Sequence, residues 1–142
     1  EALAPYPPER IAIEITEHVE ISDYASFARA VAPLRARGIK LAVDDAGAGY
    51  ASFRHILQLQ PDTIKLDLSI TRDIDTDCTR RALAAALIRF AQETGSQIVA
   101  EGVETDGELA VLRELGVDKA QGYLIGRPQP IESVLALIAS SH

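Results

Sequence analysis

Cysteine is almost absent from this chain. Cys78 stands alone among 142 residues, so no internal disulfide can form and stability must come from packing, which fits a reducing compartment. Long apolar runs are missing too. No stretch reaches the ~18 consecutive apolar residues that a bilayer span needs, and the longest candidate, "ALAAALIRFA", is broken by Arg89. No secretory leader opens the sequence. The expectation is a cytoplasmic chain with no membrane contact of its own, although a longer parent protein could carry an anchor. Positive charge is also scarce, with 14 basic residues against 21 acidic and a net charge of -7. Such a surface offers phosphate backbones no general attraction, so general nucleic-acid binding is not expected. A small anionic ligand stays open if metal ions bridge it to carboxylates. His18, His55 and His142 form no ligand pair, which disfavours zinc.

What remains is ordinary globular material, 47% apolar and 25% charged. The length predicts one domain, residues 1–142, with a real core. Strand-like and helix-like segments alternate along it. Strands are expected at 10–16, 39–45, 63–69, 97–103 and 119–125. Helices are expected at 24–38, 52–60, 77–95, 106–116 and 131–140. Phe27, Val31 and Leu34 form one stripe of the first helix, and Pro33 is placed to kink it. Helices stop at Gly38, Gly95 and Gly116, or before Pro61. "PYPPER" (5–10) reads as the turn entering the first strand, and "EALA" (1–4) as the tail of a helix begun earlier. This alternation predicts a parallel sheet with helical crossovers.

Each expected strand carries a polar residue near its C-terminal end: Glu14, Asp44, Lys65, Glu101 and Gln121. The intervals, 30, 21, 36 and 20 residues, are each about one βα unit. In a parallel barrel all strand C-termini meet at one face, where active sites sit. Converging carboxylates are costly there unless cations neutralise them. Glu14, Asp44, Asp45 and Glu101 supply the oxygen donors that suit Mg²⁺ or Mn²⁺. Two ions ~3.5–4 Å apart could clamp a phosphodiester and activate a water. Adjacent strand residues point to opposite faces, so the backbone must turn if Asp44 and Asp45 are to serve one site. Lys65 is read either as paired with Asp67 or as a cation that holds a water or steadies phosphate charge.

Two other readings compete for "LAVDDAGAGY". The loop "GAGYAS" (47–52), with Asp67 further on, resembles a dinucleotide-binding glycine loop, but Ser52 replaces its third glycine and the aspartates would face a pyrophosphate unscreened. A receiver domain also binds Mg²⁺ with paired acids, but on its first strand, and here "RIAIEIT" comes before. Gly47 and Gly49 are better read as the turn of a mobile loop beside the metals.

Taken together, "EITE" (14–17), "DDAGAGY" (44–50), "KLD" (65–67), "AEGVE" (100–104) and "QGYLIGRP" (121–128) resemble the C-terminal part of an EAL domain, the cyclic di-GMP phosphodiesterase family. The resemblance implies an α/β fold, five or so βα units of a TIM-type (β/α)8 barrel, incomplete in this chain. It implies hydrolysis of cyclic di-GMP to linear pGpG with two Mg²⁺ or Mn²⁺ ions in bacterial signalling. By motif, Glu14 resembles a ligand of the first metal, Asp44 the acid bridging both, and Asp45 a ligand of the second. Lys65 is similar to the lysine that contacts the attacking water. Glu101 resembles the glutamate near the second metal, read as ligand or general base, and Gln121 the glutamine completing that side through water. Glu17 resembles the acid anchoring the loop after the aspartates. Glu104 and Asp67 take supporting places.

The chain departs from the family pattern in three ways. The opening Glu1–Leu3 is a coincidence, since the signature Glu-Ala-Leu lies several βα units before the "EITE" strand. Its counterpart, a metal ligand, is absent, as is a metal-binding asparagine. Ala46 stands where phenylalanine is usual, which is expected to loosen the loop, and Ala51 replaces a common serine. Full barrels need about 200 or more residues. The expectation is therefore an excerpt of a larger protein, or a piece that covers its open sheet edges by homodimerising or otherwise associating, and that is inactive by itself. The alternatives are a receptor that binds cyclic di-GMP without cleaving it, or a regulatory EAL module.

Overall fold

A computed structural model of the chain describes residues 7–16, 18–47, 49–122 and 126–130. The helix expected at 131–140, the opening "EALA" and Glu17 lie outside the described residues. A short 3₁₀ turn, Pro8–Arg10, leads into β1 (Ala12–Ile15), as the proline-rich entry suggested. There follow α1 (Tyr24–Ala36), β2 (Lys40–Ala46), α2 (Tyr50–Leu59), β3 (Thr63–Leu66), α3 (Leu68–Thr71) and α4 (Cys78–Thr94). The last elements are β4 (Gln97–Ala100), α5 (Asp106–Leu115), β5 (Lys119–Gly122) and β6 (Gly126–Pro130).

Local chemistry explains most of these boundaries. Asp77 opens α4 by accepting the backbone N–H of Thr79 at 3.0 Å and of Arg80 at 3.2 Å. The helix ends on Gly95 in the left-handed conformation. Its buried face, Ala84, Ile88 and Ala91, is narrow and mostly small, so the helix lies close on the sheet. Thr105 and Glu108 close a reciprocal capping box at the start of α5. Strands are shorter than expected: β1 covers 12–15 of the expected 10–16, and two more stop early. The 63–69 stretch ends at Leu66 because Asp67 caps the short helix α3, accepting the Ser69 N–H at 2.9 Å. The 97–103 stretch ends at Ala100, and Glu101–Glu104 form a loop.

The strands lie in the order β1-β2-β3-β4-β5-β6. The first four pairings are parallel. Every strand sits beside its predecessor, so the strand order never reverses. Dinucleotide-binding and receiver folds both require a reversal at their switch point, and sequential winding is that of a (β/α)8 barrel. The structure is an α/β sheet of five such parallel strands. β6 was not expected. It runs antiparallel to β5 and carries two prolines, Pro128 and Pro130, which argue against a strand except at an edge. The core runs through Val43, Ile64, Leu66, Ile98 and Ala100 on the sheet and Ile70, Ile88, Leu109 and Leu112 on the helices. A smaller cluster of Ile15, Leu41 and Leu59 is covered by Tyr24 and Phe27.

Candidate metal centre

Register places the strand-end polar residues together. Glu14 pairs in the ladder with Ala42, and Lys65 with Val99. Asp44 and Asp45 close β2, and Glu101 follows β4 directly. Parallel strands bring these termini to one end of the sheet, where backbone direction is shared.

The adjacent aspartates converge through a β-bulge. Val43 pairs with Ile64 and Ala46 with Leu66, so two residues of β2 stand opposite Lys65 alone. Asp45 takes a left-handed φ of 55° to make the extra step, a conformation that aspartate tolerates better than most side chains. Its N–H donates to Asp44 Oδ1 at 2.9 Å. A regular strand would have sent the two carboxylates to opposite faces. Instead carboxylate oxygens of Asp44, Asp45 and Glu101 lie within 4.8 Å of one another.

The electrostatics follow from that crowding. Burial, a hydrogen bond with Asp44 and the charges of Asp44 and Asp45 push Glu101 up to about 9, against a smaller opposing pull from Lys65. Glu101 therefore keeps its proton at neutral pH, within a hydrogen bond to Asp44. Lys65 is pulled both ways. Burial is the largest single influence and acts downwards, but the hydrogen bond to Glu14 and the fields of Glu14, Asp44 and Glu101 together hold the ammonium above its ordinary range. Its Nζ donates to Glu14 Oε1. Lys65 is thus paired with Glu14, while Asp67 is occupied as a helix cap. Three crowded carboxylates that must otherwise hold a proton fit the donor set of a hard divalent cation.

Of the remaining sequence-predicted residues, Glu104 and Gln121 are among those described. Glu104 pairs with Arg72 at 3.0 Å, tying the β4–α5 loop to the segment after α3. Gln121 lies half-buried on β5, and its carbonyl accepts the Val103 N–H at 3.0 Å. Glu17 lies outside the described residues. Gly47, at φ 102°, is packed so closely on Ile70 that an added Cβ would overlap that side chain. The turn after the aspartates is therefore tightly seated at this glycine.

Three supporting residues had no part in the sequence reading of the site. Ser52 is fully buried, with its hydroxyl against the carbonyls of Asp44 and Asp45. Thr71, also buried, donates its hydroxyl to the Glu101 carbonyl. Glu108 accepts the N–H groups of Asp73 at 2.7 Å, Glu104 at 2.9 Å and Thr105 at 3.2 Å. Only Glu108 left a local signal, the Thr-x-x-Glu spacing of a capping box. The contacts of Ser52 and Thr71 depend on how separate strands and helices meet.

Comparison with known proteins meets the same architecture. The chain is 38% identical over 124 residues to the probable cyclic di-GMP phosphodiesterase PdeA of Escherichia coli, covering 87% of this chain and 17% of that protein. It is 38% identical over 135 residues to the cyclic di-GMP phosphodiesterase RocR of Pseudomonas aeruginosa, covering 95% of this chain and 34% of that one. The chain thus spans 17% of the length of one relative and 34% of the other. Among solved structures it superposes on Klebsiella pneumoniae BlrP1, in a manganese and cy-diGMP complex, with a TM-score of 0.78 and 38% identity, over 92% of this chain and 33% of that one. The model of the EAL domain family matches residues 1–128. With its sequential parallel strands and its acids gathered at their ends, the chain belongs to the EAL domain family.

Proposed function

We propose that this chain carries the metal-holding part of a site that hydrolyses cyclic di-GMP to linear pGpG, with Mg²⁺ or Mn²⁺ as cofactor. The observation that carries the reading is the meeting of the Asp44, Asp45 and Glu101 carboxylates within 4.8 Å of one another. Its likeness to the probable cyclic di-GMP phosphodiesterase PdeA, to the cyclic di-GMP phosphodiesterase RocR and to the manganese and cy-diGMP complex of BlrP1 supports it. Two divalent cations held here supply Lewis-acid neutralisation of phosphate charge and a more acidic water. By its match to the family motif, Asp44 is assigned to both ions and Asp45 to one. Glu101 is assigned as a ligand or as the acid–base group, since it carries a proton that can be exchanged. Beside Glu14, Asp44 and Glu101 the Lys65 ammonium is held above its ordinary range, so it is assigned as a donor and a positive charge. Glu14 is assigned as a ligand on the first-metal side. Its Oε1 accepts from Lys65, and its second oxygen remains available to an ion. Glu17, Asp67, Glu104 and Gln121 are assigned supporting places.

The activity is assigned to the intact domain, and the 142 residues alone are expected to be inactive. β1 lies at the edge of the sheet, and an uncovered edge is a template for pairing. Further strands of a longer chain, or a second copy, would cover it. A receptor without hydrolysis is the second reading, and Ala46, where the family usually has phenylalanine, favours it. The test is to incubate the chain with cyclic di-GMP and Mn²⁺, chromatograph the products, and run Asp44→Ala alongside. Linear dinucleotide from the wild type alone establishes the enzyme within this chain. Metal and cyclic dinucleotide retained without cleavage is the result expected of these residues alone, and cleavage by the intact domain then separates the enzyme from the receptor. Binding of neither overturns both readings.

A further inference from the structure

We infer that Ser52 is a positioning residue for the paired aspartates: its buried hydroxyl holds the bulge that turns both carboxylates to one side. The inference rests on the metal-site reading above. It begins from strain. Asp45 sits at φ 55° and the ladder skips between Val43 and Ala46. Such backbone persists only where its surroundings over-determine it.

Several contacts do so. Asp67 N–H donates to the Ala46 carbonyl at 2.9 Å, and Gly47 is pressed on Ile70. These fasten residues 46 and 47. Residues 44 and 45, which carry the acids, are reached by Ser52. Its Oγ lies 3.4 Å from the Asp44 carbonyl oxygen and 3.3 Å from that of Asp45. Both separations are long for an O–H···O bond, and the one hydroxyl lies within reach of both carbonyls.

The placement is unusual for a serine in a helix. Ser52 is in the first turn of α2, where its hydroxyl could bond within its own turn. It reaches instead to the strand, seven and eight residues back, and is wholly shielded from water. An apolar residue of similar size would fill that space without a polar group to satisfy. What the hydroxyl adds is a tie between α2 and the two carbonyls of the bulge. Without it, the flanking pairs Val43–Ile64 and Ala46–Leu66 still hold the bulge in register, but the peptides of residues 44 and 45 are free to rotate within it, which turns the carboxylates apart. The site would lose donor convergence while the sheet and helices stay intact.

The experiment is calorimetric titration of the 142-residue chain with MnCl₂, for wild type, Ser52→Ala and Ser52→Thr, with far-UV circular dichroism on each. Ser52→Ala is expected to weaken Mn²⁺ binding about tenfold, the size seen when a group orienting a metal ligand is lost, with its spectrum unchanged. Ser52→Thr, which keeps the hydroxyl, is expected to bind as the wild type does. Wild-type affinity in Ser52→Ala overturns the inference. An equal loss in both variants overturns it as well, by assigning the effect to packing. Should Ser52→Ala not fold, Ser52→Cys, similar in size but a weaker donor, is judged by the same criterion. A wild type that binds no Mn²⁺ overturns the metal-site reading and this inference with it, an outcome distinct from wild-type binding that Ser52→Ala leaves unchanged.

Discussion

At the scale of single residues, the centre is governed by one proton. Glu101 is raised to about 9, first by burial and then by Asp44, whereas in the unfolded chain it titrates near the ordinary carboxylate value. Between those two values the folded state binds more protons than the unfolded one, so stability falls as pH rises. The Glu101 contribution is whole below the unfolded value and gone above about 9. Glu101→Gln fixes the neutral form. In EDTA it is expected to melt higher than the wild type at pH 9 and alongside it at pH 4.5, as followed by circular dichroism. An equal offset at both pH values would assign the effect to packing alone. Lys65 has the opposite character, since its carboxylate neighbours hold it charged throughout this range.

At the scale of elements, the turn after β2 and the start of α5 set the positions of the acids. Gly47 needs both a positive φ and the space beside Ile70. Gly47→Ala is expected to destabilise the chain by more than about 1 kcal/mol and to weaken Mn²⁺ binding, because the displaced backbone adjoins Asp45. Urea unfolding and metal titration on the same samples check both parts. The α5 capping box is a lesser matter. Thr105→Ala removes the side-chain acceptor for the Glu108 N–H and is expected to lower unfolding free energy by about 1 kcal/mol, with Glu108 still free to bridge to Asp73. A much larger loss would mean that the capping box and the Glu108 bridge act as one unit.

At the scale of the whole molecule, β3 is the centre of the sheet and its apolar side chains are wholly enclosed. Ile64 is 0% exposed and Leu57, on the outer side of α2, is 66% exposed. Ile64→Ala is expected to cost roughly 2–5 kcal/mol, a large share of a typical domain's stability. Leu57→Ala is expected to stay within about 0.5 kcal/mol. Comparable urea midpoints for the two variants would contradict the core assignment. Among the described residues no helix is long and apolar enough to cross a membrane.

The parallel α/β alternation was legible in the sequence because helix and strand periods, glycine stops and proline breaks are local properties. So were the polar strand ends, since their spacing repeats the βα unit. Strand ends were less legible: Asp67 could be read as the continuation of a strand or as a cap, and only the helix that it caps decides. β6 was hidden by its prolines, which discourage a strand until the neighbouring edge accepts one. The meeting of Asp44 with Asp45 could not be read from adjacency, which in a regular strand separates them. It took a skipped ladder position, a left-handed Asp45 and a hydroxyl from another element to turn both acids toward Glu101. The sequence by itself determined which donors are present and which strand ends carry them. The tertiary structure alone decided that three carboxylates crowd together and that Lys65 pairs with Glu14, because proximity across strands is a property of register and packing.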